Sequence, residues 1–170
     1  NMRNPHERRG DLRAQLAAQQ LGERRVAELC ERHGREAVVA AADQLHDYAE
    51  RRVRQALSEL PDGTYAATDR LEPIAGELEL KVAVTIAGDG VEIDFTGSSP
   101  QHEGNLNCPL AVTRSACFYV VRCLTAPDLL ASGGAFAPVT VTAPEGCLVN
   151  ARRPAAVVAG NTETSSRITD

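Results

Sequence analysis

The stretch Leu78-Glu79-Leu80-Lys81-Val82-Ala83-Val84-Thr85-Ile86-Ala87-Gly88-Asp89-Gly90-Val91-Glu92-Ile93-Asp94-Phe95 decides the fold class. Leu78, Leu80, Val82, Val84 and Ile86 alternate with Glu77, Glu79, Lys81, Ala83 and Thr85, the period of a strand with one buried face and one wet face. Gly88-Asp89-Gly90 supplies a turn. Val91, Ile93 and Phe95 then alternate with Glu92, Asp94 and Thr96, so the two runs are expected to pair as an antiparallel hairpin. Upstream, Tyr65 to Thr68 is the candidate third strand. Downstream, Gly97-Ser98-Ser99-Pro100 leaves the sheet, and the polar stretch through Asn107 continues as a loop. Leu110 to Leu124 is apolar almost all round, which predicts a helix buried on most sides. Pro127 and Gly133-Gly134 end it. Val139-Thr140-Val141-Thr142 reads as a short strand closed by Pro144-Glu145-Gly146, and Asn161 is placed to cap a last helix beginning at Thr162, with Glu163 favourably set for its dipole.

The part of the chain before the hairpin has a different period. Ala14, Ala17, Ala18 and Leu21 fall on one helical face before a break expected at Gly22, and Val26, Leu29 and Cys30 form a second short helix that Gly34 stops. Val38, Ala42, Leu45, Ala49, Val53, Ala56 and Leu60 step by three and four, the pattern of one buried stripe on a longer helix. Its other face sets Asp47 four residues before Arg51 and Glu50 four before Arg54, the favourable acid-first order. Pro61-Asp62-Gly63 ends that helix. The expectation is one α+β unit over 1–170: N-terminal helices over 1–60, then an antiparallel hairpin or small sheet over 61–170 with a buried helix packed on it. No repeat and no linker-like composition divides it.

At 170 residues, such a unit should bury roughly 70% of the surface of its unfolded chain, enough for a true core. Eighteen Lys and Arg stand against 23 Asp and Glu, a formal charge of -5, which gives no general attraction for nucleic acid or anionic lipid. The absence of Trp also leaves few flat rings for stacking bases. Cys30, Cys108, Cys117, Cys123 and Cys147 are an odd set without a CxxC pair, as expected for reduced thiols in a cytoplasmic protein. No apolar run approaches the ~20 residues that cross a bilayer. Asn1 directly before Met2, and a last helix that stops at Asp170, are expected of a segment excised from something longer.

Several separated strings share one resemblance. Asp94-Phe95-Thr96-Gly97-Ser98-Ser99-Pro100-Gln101 is followed by Gly104-Asn105-Leu106-Asn107-Cys108-Pro109-Leu110-Ala111-Val112-Thr113-Arg114-Ser115. Upstream stand Gly10-Asp11-Leu12-Arg13-Ala14-Gln15 and Tyr48-Ala49-Glu50-Arg51-Arg52. Downstream stand Pro138-Val139-Thr140-Val141-Thr142-Ala143-Pro144-Glu145-Gly146 and Gly160-Asn161-Thr162-Glu163-Thr164-Ser165. Together, in this order, they resemble the hydantoinase B/oxoprolinase family over nearly the whole chain. The resemblance implies a B-type subunit that works with an ATP-binding A-type subunit, in a homo- or hetero-oligomer, to hydrolyse a small cyclic amide such as a hydantoin or 5-oxoproline. Relatives carboxylate acetone or acetophenone. It further implies that ATP, bound on the partner, phosphorylates a substrate oxygen, and that a divalent metal sits in a His/Asp region lying before this segment. On that reading the chain is an internal fragment that binds no cofactor itself.

The residues themselves offer several candidates, each with a structural alternative. Asn105 and Asn107 precede a helix N-terminus, where amide donors and the dipole suit an anion or a carbonyl; they equally suit capping and turn bracing. Cys108 stands where a helix dipole can lower a thiol pKa, with His102 in the same loop, which makes it a nucleophile candidate against the reading of a packed thiol. Asp94 and Glu92 share a strand face, as an acid-base pair or merely as its solvated side. Arg114, with Arg122 further along the same apolar helix, could face a substrate carboxylate or a neighbouring subunit, or snorkel. Asp43, His46, Asp47 and Glu50 cluster on helix turns but recruit no second element, so no metal is assigned to them. No GxxxxGK[ST] loop is present, and nucleotide is not expected on this chain. A structural or subunit-docking module without catalytic residues of its own is the competing reading.

Overall fold

The computed structural model describes residues 4–72 and 77–170. The chain divides into two compact units, Asn1–Leu45 and His46–Asp170, and the division falls inside the second helix rather than at the Pro61 turn.

The first unit is helical. Helix α1 runs unbroken over Pro5–His33, with the opening proline at its first turn, where a missing N–H costs nothing. The break expected at Gly22 does not occur. A glycine in a helix costs only ~1 kcal/mol relative to alanine, and Ala17, Ala18, Gln19, Gln20, Leu21 and Glu23 around it are strong enough helix formers to carry the ladder through. The stop at Gly34 is real: its φ of 82° suits glycine, and its N–H donates to the Cys30 carbonyl at 2.8 Å. Helix α1 buries none of its side chains. Arg8–Asp11 and Arg25–Glu28 decorate it as exposed ion pairs.

Helix α2 covers Arg35–Ser58, and only its second half carries a buried stripe: Ala49, Val53 and Leu57. The expected stripe through Ala42 and Leu45 is exposed, and Leu57 rather than Ala56 completes it, because successive steps of four drift around the helix toward the core that begins at Ala49. Of the two acid-first pairs, Glu50–Arg54 forms at 2.7 Å, and Arg54 reaches on to Asp89 of the hairpin turn.

In the second unit, β1 (Gly63–Leu71), β2 (Leu78–Ala87), β3 (Gly90–Asp94) and β4 (Val139–Thr142) form one sheet in the order β1-β2-β3-β4. The hairpin has the expected register, with Val84 opposite Ile93 and Ile86 opposite Val91. Gly88 takes φ 59° in the two-residue turn. The third strand exists and is longer than Tyr65–Thr68. The sheet is mixed, however, and not purely antiparallel, since β4 pairs parallel to β3 with Val91 opposite Val139 and Ile93 opposite Val141. A parallel neighbour requires a crossover, and the segment between β3 and β4 contains one long helix to supply it.

That crossover helix, α3, spans Leu110–Thr125. It buries one face, Thr113, Ala116, Cys117 and Val121, and is not buried on most sides: Tyr119 is 62% and Leu124 71% exposed. Apolar composition all round reads as full burial only when something packs on every side, and here the sheet lies on one. The core joins this face to Leu80, Val91, Ile93, Phe95, Val139 and Val141, with Leu148 and Val149 completely enclosed. The last helical segment opens as a wide turn at Gly160–Thr164 and continues as α4, Ser165–Thr169. It therefore starts before Thr162, and Asn161 lies within it, exposed, without capping it.

Candidate functional site

Immediately after β3 the chain is fixed by its own side chains. The Asp94 carboxylate accepts from the Thr96 N–H at 2.9 Å and from the Thr96 hydroxyl at 2.7 Å, an Asx turn that leaves it half-buried and occupied. Glu92 remains exposed. The Ser98 hydroxyl meets both the N–H and the C=O of Lys81 at 3.0 Å, and Ser99 accepts the Glu79 N–H at 2.9 Å, so the two serines prolong the ladder beside β2 where β3 has ended. Loop 99–108 is then stitched to the segment around Leu148. Gln101 donates to Gly146, Leu148 to Ser99, Cys108 to Leu148 and Ala151 to Cys108, all backbone bonds of 2.7–3.0 Å.

Asn107 is the centre of this loop. It has no exposed surface, its Oδ1 accepts the His102 N–H at 2.7 Å, and its Nδ2 donates toward the carbonyls of His102, Gly104 and Ala156 at 2.8–3.0 Å. Both ends of the amide are thereby engaged within the chain, the oxygen once and the nitrogen by three carbonyls. Asn105 is different. Its backbone carbonyl receives the N–H groups of Ala159 and Gly160, while its side chain is exposed. Neither asparagine caps α3, whose N-cap is Pro109.

The same loop meets the last helical segment at contact distance. A Cβ on Gly160 would lie 2.0 Å from the Asn107 carbonyl oxygen, so only glycine admits this approach. Thr164, fully buried, donates its hydroxyl to the Leu106 carbonyl, and the Cys108 thiol donates to the Gly160 carbonyl at 3.0 Å. Burial pushes the Cys108 thiol up to about 11, which keeps it protonated at neutral pH. Nor is His102 its partner, since His102 Nδ1 accepts the Gly104 N–H inside the loop. Arg114 is exposed on α3. Arg122 is half-buried, and its Nε has no hydrogen-bond partner among the described residues.

Sequence reasoning singled out Asn107 and Cys108 but not that Gly160 meets them or that Thr164 holds the neighbouring Leu106 carbonyl; those two stood only in a string that reads equally as a helix start. It also missed a cavity of about 420 Å³ under the sheet, with walls that include Leu80, Val82, Val84, Ile93 and Val120, and Asp69 and Arg167 among its polar lining residues.

Among the described residues no three His, Cys, Asp or Glu side chains group as a metal site, Asp43, His46 and Asp47 are exposed, and Glu50 is taken by Arg54. No described helix is long and apolar enough to cross a membrane.

These features define a class: an α+β domain in which a braced, asparagine-centred loop between sheet and crossover helix is locked onto the helical segment that opens at Gly160. The chain belongs to the hydantoinase B/oxoprolinase family, whose model matches residues 1–170. It is 33% identical to the B-type subunit of a putative D-/L-hydantoinase from a Pseudomonas species, over 94% of this chain and 29% of that protein. With 5-oxoprolinase 1 of Arabidopsis thaliana the identity is 35%, over 94% of this chain and 14% of the relative. The crystal structure of an ATP-dependent caprolactamase from Pseudomonas jessenii superposes with a TM-score of 0.85 at 31% identity, covering 99% of this chain and 30% of that one. The chain thus spans less than a third of the length of these relatives.

Proposed function

We propose that this chain is part of the B-type subunit of an ATP-dependent hydrolase of cyclic amides, acting with an ATP-binding A-type partner subunit. In that reaction water is added across a ring C–N bond, the acyl carbon taking the hydroxyl and the ring nitrogen the proton, while ATP, which the partner would hold, is split by a second water to ADP and phosphate. The observation that carries the reading is the junction itself. Gly104–Cys108 and Gly160–Thr164, two family-like strings some fifty residues apart, meet through Asn107, Gly160 and Thr164 and leave the Asn105 carboxamide facing outward. Similarity to proteins named as a hydantoinase subunit, a 5-oxoprolinase and a caprolactamase supports the reaction class. Asn105 is the substrate-contact candidate and Asn107 its positioning residue; Cys108 is a packing thiol, and Arg114 is left to a partner or a substrate carboxylate.

The test is Asn105→Ala in the assembled two-subunit enzyme, reading amide-dependent ADP release beside complex size. Turnover should fall about tenfold or more, the loss of one well-placed hydrogen bond to a reacting group, with the complex intact. Loss of assembly at unchanged turnover per complex would instead identify a docking module.

A further inference from the structure

The turn that carries Asn105 is held at two points, and the two differ in kind. On one side the Asn105 carbonyl accepts the N–H groups of Ala159 and Gly160 at 2.9 and 3.2 Å, backbone on backbone. On the other, the Gly104 N–H donates to His102 Nδ1 at 2.8 Å. That bond requires a neutral imidazole with its proton on Nε2, because a protonated ring carries N–H on both nitrogens and has nothing left to accept with. The contact is tight as well as bonded: a Cβ on Gly104 would lie 2.7 Å from Nδ1 and 2.8 Å from Cε1, so the ring rests against bare backbone. Asn107 completes the turn by accepting the His102 N–H and donating to the carbonyls of His102 and Gly104. Of these bonds, the one to Nδ1 alone is cancelled by a single added proton.

The charged groups around the loop do not compete for that role. On the loop itself stand exposed Glu103 and Cys108, whose thiol burial keeps protonated at neutral pH. The segment bonded to the loop through Gln101 brings Glu145 and Arg152, paired at 3.1 Å, exposed Arg153 and the buried thiol of Cys147. Exposed Glu163 stands on the segment that opens at Gly160, exposed Arg114 on α3, and Glu79 and Lys81, paired at 3.1 Å, on β2 beside Ser98 and Ser99. His102 belongs to none of the described ion pairs, and of these residue types an imidazole is the one that ordinarily changes charge between pH 5 and 8.

We propose that His102 is a proton-operated latch on this turn: neutral, it holds Gly104 and so aims the Asn105 carboxamide; protonated, it frees the turn while the clamp to Ala159 and Gly160 stays closed. The inference rests on Asn105 as the substrate-contact candidate and adds regulation to it, a site formed at neutral and alkaline pH and loosened by acid.

The experiment compares wild type with His102→Asn and His102→Ala. An asparagine side-chain oxygen here takes the place of Nδ1, two residues before the N–H it accepts, and does not titrate. In NMR of the full wild-type chain, Nδ1 should read as unprotonated at pH 7.5. On acidification to pH 5.5, the Gly104 N–H and the Asn105 side-chain amide should shift with the same midpoint as the His102 ring. In the assembled two-subunit enzyme at pH 7.5, amide-dependent ADP release should fall about fivefold for His102→Ala, the worth of one neutral hydrogen bond, and His102→Asn should rescue it. As pH drops to 5.5, the wild-type rate divided by the His102→Asn rate should fall toward the alanine level. Gly104→Ala, which pushes the ring away at a backbone angle other residues adopt, should behave as His102→Ala. A protonated Nδ1 at pH 7.5, a Gly104 N–H indifferent to the His102 midpoint, or parallel wild-type and His102→Asn profiles would each overturn the latch. Asn105→Ala keeps the two readings apart: if it lowers turnover while those profiles run parallel, the contact residue stands and the latch falls. If it leaves turnover unchanged, the contact reading falls and takes the regulation with it.

Discussion

Helix α1 carries nine leucine, valine and alanine residues among 29 and α3 seven among 16, yet one buries nothing and the other buries four side chains. The difference is not propensity. Helix α1 is richer in good helix formers, while α3 carries the β-branched Val112, Thr113, Val120 and Val121, which cost χ1 freedom. What separates them is a neighbour: α3 lies on a sheet and is tied to it by Thr113, whose hydroxyl donates to the Val149 carbonyl at 2.6 Å, while α1 holds itself by its own ladder and surface pairs. Stability in this chain should therefore concentrate where elements from distant sequence positions touch, and substitutions can measure that concentration.

The largest effect is expected at the junction. Gly160→Ala sets a methyl 2.0 Å from the Asn107 carbonyl, and backbone on both sides leaves nothing flexible to yield; a loss of about 4 kcal/mol or more, read as a collapse of the urea midpoint, is expected. A change below ~1 kcal/mol would show that loop and helix part easily, and the contrast between the two regions would lose its sharpest instance. Phe95→Ala follows. The ring is 1% exposed at the end of β3, and its removal should cost about 3–5 kcal/mol.

Asn107→Ala should come third, at about 1–3 kcal/mol, because the half-buried His102 N–H and the carbonyls of Gly104 and Ala156 lose the one side chain that ties them together. Asn107→Asp separates bracing from bulk: it keeps the acceptor for His102 and replaces the donor with a second acceptor facing three carbonyls. It should destabilise at least as much as alanine. A milder effect than alanine's would show that the carbonyl contacts carry little.

A smaller, pH-dependent term comes from thiols. Cys108 and Cys117, with an ordinary value of 9.0, are raised by burial to about 11 and about 12. Above pH 9 the unfolded chain sheds protons that the folded chain keeps, so the unfolded state binds fewer protons and stability falls as pH rises from about 9 toward 11 and 12. Urea midpoints at pH 8, 9 and 10 should decline, and Cys108→Ala should flatten part of the decline. At pH 8 a thiol reagent should reach exposed Cys123 first and Cys108 only on unfolding.

The hairpin could be read from sequence because period two, a glycine turn and charge alternation agree within eighteen residues, and local agreement needs no knowledge of partners. The parallel pairing of β4 could not, since Val139–Thr142 is equally good on either edge until α3 sets the crossover. Gly22 misled because a break signal was weighed without its helix-forming neighbours. At the site, Asn107 was visible as a residue and invisible as a hub: three of its four partners lie within five residues, but Ala156 and the close approach of Gly160 come from elsewhere in the chain. The cavity lay further out of reach, being defined by what β1, β2, β3, α3 and α4 together fail to fill.

The smallest expected effect is also the most exposing of the comparison. Leu16 sits on α1 at 59% exposure, the same residue type as Leu148, which has no exposed surface. Leu148→Ala should cost about 2–5 kcal/mol, while Leu16→Ala should fall within ~0.5 kcal/mol of neutral: it forfeits little burial, and alanine is the better helix former. Helicity from circular dichroism, followed beside the urea midpoint, distinguishes the two ways this could fail. If Leu16→Ala lowers the midpoint by a kilocalorie or more without loss of helix, the side chain is buried in solution against something, most simply a second copy, and the midpoint would then depend on protein concentration. If helix content falls instead, α1 depends on Leu16 for its own persistence, and its contrast with α3 is one of degree.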